Sequence, residues 1–126
     1  MRSFLLLLLA LSFFSLKAGE VYLCKSFSAK GGPLNTQSEW KAKTDKICIA
    51  YKHDTYYKES AVYTVRISKK TDPYHYKGFM SKDLKVTKGS NWTVTYYRIA
   101  EPGEYIITII DDCGFILGEH TCSVKK

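Results

Sequence analysis

Period two governs this chain. In K-I-C-I-A-Y, Ile47, Ile49 and Tyr51 share one side of an extended backbone, while Cys48 and Ala50 share the other. In A-V-Y-T-V-R-I, Tyr63, Val65 and Ile67 alternate with Thr64, Arg66 and Ser68. Successive side chains of a strand point to opposite faces, so this alternation marks strands with a buried side. Similar runs occur at Val21–Phe27, at N-W-T-V-T-Y-Y-R-I, where Trp92, Val94 and Tyr96 face one way, at Tyr105–Ile110 and at Phe115–Val124. No helical stripe of useful length interrupts them. Turn signals punctuate the runs: Lys30-Gly31-Gly32-Pro33, Asp72-Pro73, Glu101-Pro102-Gly103 and Asp111-Asp112-Cys113-Gly114. Trp40 stands alone among charges, and Lys69–Lys88 reads as irregular, with a short edge strand near Leu84 and Val86. Six or seven short strands with brief connections predict an all-β fold, an antiparallel β-sandwich.

The start of the chain bears on where it works. Arg2 precedes an apolar run from Phe4 to Phe14, and small Ala18 stands before Gly19, the layout of a cleavable secretory leader. The run is shorter than the roughly 20 apolar residues that span a bilayer. The expected organisation is a signal peptide over 1–18 and a single domain over 19–126, secreted or periplasmic, with no transmembrane segment after leader removal. Removing the first 18 of 126 residues leaves 108, enough for one core of modest stability. The leader carries Arg2 and Lys17, so the mature chain keeps 17 basic and 12 acidic residues, a net charge of +5. The lysines are scattered rather than blocked, which suits a solvated surface better than a dedicated polyanion site; nucleic acid is not an expected partner.

One motif sharpens the fold. E-P-G-E-Y-I-I, residues 101–107, resembles the pattern that opens strand F of immunoglobulin-like domains, where a tyrosine hydroxyl bonds back to the backbone and locks the corner. The resemblance makes Tyr105 the corner tyrosine and implies an immunoglobulin-like sandwich of about seven strands. Ile107 stands where antibody domains place a core cysteine, so their inter-sheet disulfide is absent. Tyr105, Ile107 and Ile109 then face the core, while Ile106 and Ile110 face outward, covered by an edge element or exposed as a small apolar patch; cover is the expectation.

Four cysteines in a short exported chain predict two disulfides, and their spacing lacks any C-x-x-C pair that would point to a metal. Three connectivities are open. The implied topology favours Cys24 with Cys113 and Cys48 with Cys122; joining Cys113 to Cys122 within one hairpin conflicts with the approach a disulfide requires.

Catalytic signatures are lacking. His53, His75 and His120 fall in separate segments, Asp111-Asp112 suits a turn, and no strained nucleophile turn occurs, so neither enzyme activity, metal nor cofactor is expected. Asn91-Trp92-Thr93 fits a glycosylation acceptor, but the short leader and plain composition look bacterial and the match is read as chance. The most suggestive residues are aromatic: Tyr56 and Tyr57 in one loop, Tyr74, His75 and Tyr76 in the next irregular stretch, with Lys58 and Lys77 beside them. Displayed tyrosines among lysines suit a protein or glycan partner; capping of the sandwich core is their other role. The expectation is a non-catalytic binding domain recognising another protein through loops at one end. Alternatives are a carbohydrate- or cell-wall-binding module, and an inhibitor of a secreted hydrolase using the Gly31-Gly32-Pro33 segment.

Overall fold

The computed structural model describes residues 20–52, 61–86 and 91–126. The expected leader over residues 1–18, His53, and the expected site residues Tyr56, Tyr57 and Lys58 lie outside the described residues. Nine strands are described: β1 (Glu20–Ser28), β2 (Gly32–Thr36), β3 (Glu39–Lys41), β4 (Ile47–Lys52), β5 (Ala61–Asp72), β6 (His75–Val86), β7 (Trp92–Tyr97), β8 (Gly103–Ile110) and β9 (Ile116–Lys125). They form a four-stranded sheet, β2-β1-β4-β7, and a five-stranded sheet, β3-β9-β8-β5-β6. All ladders are antiparallel except β3 with β9, which is parallel.

The expected alternation holds in the core. Ile47, Ile49 and Tyr51 from β4 meet Tyr63, Val65 and Ile67 from β5 and Tyr105, Ile107 and Ile109 from β8, all buried. The corner forms as the motif implies: the Tyr105 hydroxyl donates to the Glu101 carbonyl oxygen at 2.6 Å. Burial, reinforced by the Glu101 carboxylate, pushes the Tyr105 phenol up to about 12.

Several expectations need correction. Nine strands are present among the described residues rather than about seven. Trp40 is not isolated but sits in β3, which crosses to pair with β9 and buries the indole in the core. The stretch from Lys69 is not irregular: β5 and β6 form one long hairpin. Ile106 and Ile110 are half-buried on an outer sheet face, and no edge element lies over them among the described residues. The sequence left open which side of β7 faces in: Trp92, Val94 and Tyr96 do share one side, it faces out, and Thr93 and Thr95 are buried inward, because the outer face of this sheet has a small core of its own.

That second core comes from a folded-back hairpin. Trp92 pairs opposite Lys52, and Lys52 opposite Glu20, at the start of β1. A straight strand would carry Phe27 about 23 Å from that level. Yet the Phe27 and Trp92 rings are 5.1 Å apart, and a Cβ on Gly32 would lie 3.5 Å from the Trp92 ring. Beyond Cys24, where its pairing with β4 ends, β1 therefore bends, and the turn end of the β1–β2 hairpin lies across the outer face of its own sheet. Beneath it Cys24, Cys48 and Ala50 are wholly buried. Gly32 takes φ 76°, a conformation costly for other residues, so glycine is needed at this return.

No disulfide joins any of the four cysteines in this structure. The pairings Cys24–Cys113 and Cys48–Cys122 do not fit: Cys24 and Cys48 lie on the outer face of one sheet, Cys122 points into the core from the other, and Cys113 is exposed in the β8–β9 turn.

Candidate recognition surface

The β5–β6 hairpin outruns its sheet. Pairing of β5 with β8 ends at Lys69 opposite Tyr105, and residues 70–79 are exposed on both sides. What remains is a free-standing arm. Its tip is held by Asp72, whose Oδ1 accepts the Tyr74 N–H at 2.9 Å and lies 2.8 Å from His75 Nδ1. The Tyr74 N–H, then His75, hold the Asp72 carboxyl below its ordinary range. Thr71 Oγ1 donates to the His75 carbonyl at 3.3 Å. Tyr74 projects with 88% of its surface exposed and Tyr76 with 43%. His75 and Lys77 are exposed beside them.

The base of the arm is fixed by a register shift. Ile67 pairs with Met80 and Ser68 with Gly78, so Phe79 is left over as a bulge. Its ring turns onto Tyr105, edge to face at 5.4 Å. Lys69 closes the same corner with an ion pair to Glu101. The arm is thus tied to the tyrosine corner at its root.

From the arm, the outward side chains of β6, β5, β8 and β9 line a shallow groove of about 360 Å³. Tyr76 and Gly78, then Arg66 and Ser68, then Ile106 and Thr108, and lastly Glu119 border it. Arg66, Ser68, Thr108 and Glu119 are not singled out by the sequence. Arg66 and Ser68 show there only as the polar side of a strand, and their meeting with Thr108 and Glu119 depends on strand order.

The structure separates the other expected residues. Tyr74–Tyr76 lie just beyond the Asp72 end of β5, about 36 Å along the strand from Ala61. His75 is at the arm tip, while His120 sits opposite Ile107 in mid-sheet with Nδ1 2.7 Å from the Thr121 carbonyl. The Gly31-Gly32-Pro33 segment packs back on its sheet with Gly32 buried. In the β8–β9 turn, Asp111, Asp112 and Cys113 approach within 4.8 Å of one another, but Asp111 Oδ1 already accepts the Cys113 and Phe115 N–H groups at 2.9 and 2.8 Å. Asp112, then Asp111, push the Cys113 thiol up.

No protein-family model matches the sequence, and no curated protein matches it. Among solved structures, the chain is similar to an immunoglobulin-like protein of Pseudomonas aeruginosa, with TM-score 0.57 and 16% identity over 83% of this chain and 91% of that one. The fold is immunoglobulin-like. A superoxide reductase (neelaredoxin) of Ignicoccus hospitalis aligns at TM-score 0.47 and 7% identity over 90% of this chain and 84% of that one, a likeness too slight to carry any argument. In immunoglobulin terms β4 stands for strand B, β5 and β6 for C and C′, and β8 and β9 for F and G. The arm is therefore an elongated C–C′ hairpin.

Proposed function

We propose that this is an exported, non-catalytic recognition domain that binds another protein through the β5–β6 arm and the sheet face beside it. The observation that carries this reading is the free-standing arm, which displays Tyr74, Tyr76 and Phe79 among Lys70 and Lys77. Tyrosines supply large contact area with few rotatable bonds, so they lose little entropy on binding. The lysines favour encounter with an anionic partner surface. As the sheet edge, β6 carries Lys77, Lys82 and Lys85 as well as the bulge, features that discourage open-ended strand pairing. Contact through side chains is accordingly favoured over strand addition.

The groove favours a second reading, carbohydrate binding. Polar Arg66, Ser68, Thr108 and Glu119 beside one tyrosine suit a sugar ring.

Replacing both Tyr74 and Tyr76 by alanine tests the two readings. With the mature domain immobilised, the wild-type chain is expected to capture a partner from proteins exported by its source. The double variant should lose at least about tenfold in affinity with its unfolding midpoint unchanged. Unchanged capture would remove the arm from the site. Retention of glycans alone would transfer the assignment to the groove.

A further inference from the structure

Cys24 and Cys48 stand directly opposite each other in the antiparallel β1–β4 ladder, with both side chains on the outer face. Opposed residues in such a ladder have Cα atoms about 4.5–5.5 Å apart, within the roughly 4.4–6.8 Å that a disulfide requires. The Cys24 thiol already reaches over its neighbour, donating to the Cys48 carbonyl oxygen at 3.6 Å. No other pair is placed this way: Cys122 is opposite Tyr105 in the other sheet and points into the core, and Cys113 is exposed in a turn. We propose that Cys24 and Cys48 are a disulfide-forming pair, joined when the chain folds in an oxidising compartment, and that Cys113 and Cys122 take no part.

The step is a thiol–disulfide exchange. One thiolate attacks a sulfur of a small-molecule or protein disulfide and releases one thiol. The second thiolate then attacks the mixed disulfide and releases the other. The two cysteines lose two electrons and two protons, and the oxidant is reduced to two thiols. Both sulfurs lie under the folded-back hairpin end, beside Phe27 and Trp92. The bond therefore forms before that end settles, and afterwards the same cover keeps reductants away. It would staple β1 to β4 across their shared ladder. This inference does not depend on the recognition reading.

Refolding the mature domain with a glutathione redox pair, alkylating the remaining thiols and digesting with trypsin tests it. Lys25, Lys46 and Lys52 are cleavage sites, so the bond would link the peptide ending at Lys25 to Ile47–Lys52. The expected product lacks the mass of two hydrogens, and only Cys113 and Cys122 are alkylated. Cys113→Ser, which removes the exposed thiol, should leave the link intact. The oxidised chain should unfold roughly 10 °C or more above the reduced one. Four alkylated cysteines after oxidative refolding, or links made chiefly through Cys113 or Cys122, would overturn the proposal.

Discussion

Tyr105 joins the two parts of the molecule that matter most. Its hydroxyl closes the corner on Glu101 while its ring takes the edge of Phe79 at the root of the arm. Tyr105→Phe keeps the ring and leaves the Glu101 carbonyl without this donor, so it should cost about 1 kcal/mol in denaturant unfolding. A change near zero would count against the corner. Alkali acts on the same interior. In the reduced chain, burial first and Cys24 second push the Cys48 thiol up to about 12, burial and then Glu104 push Cys122 up to about 11, and Tyr105 is held near 12. Unfolded, these groups lose protons near their ordinary values of 9.0 and 10.0. From about pH 9 the folded state binds more protons than the unfolded one, and stability falls as pH rises. The urea midpoint of the reduced domain should hold level between about pH 6 and pH 8 and decline from about pH 9 to 12. A level profile to pH 12 would contradict these burials.

Among the elements, the arm is the one the sequence concealed. Strands with one buried face advertise themselves by alternation, which is why β4, β5 up to Ile67, and β8 are legible. Residues 70–79 have solvent on both sides and nothing to alternate. Leu84, buried near the end of β6, shows only as a fragment. Three-residue β3 is too short for any period, so Trp40 looks isolated although its partners Ser123, Val124 and Lys125 are over eighty residues away. On β7 the pattern reads correctly, but which side faces the core depends on the folded-back hairpin. If the arm stands free, replacing residues 70–76 with an Asn-Gly turn, which keeps Lys69 opposite Lys77, should change folding stability by about 0.5 kcal/mol or less. A much larger loss would mean that the arm is part of the packed structure.

For the whole molecule, the two-layer architecture and the corner were readable because burial and turn chemistry are local signals. The candidate surface was only half readable. Tyr74, His75, Tyr76 and Lys77 declare themselves by composition, whereas Arg66, Ser68, Thr108 and Glu119 come together through strand order. Tyr74, Tyr76 and Lys77 cluster at the Asp72 end of β5, which is where the proposed recognition falls. Phe115 and Ile116, exposed at the β8–β9 turn, provide a control at the far end. Photo-crosslinking addresses the assignment most directly, with a benzophenone side chain placed at position 74, 76 or 115 in turn and the partner present. Adducts formed from positions 74 and 76 but not from 115 are the predicted result; adducts from 115 alone would contradict it.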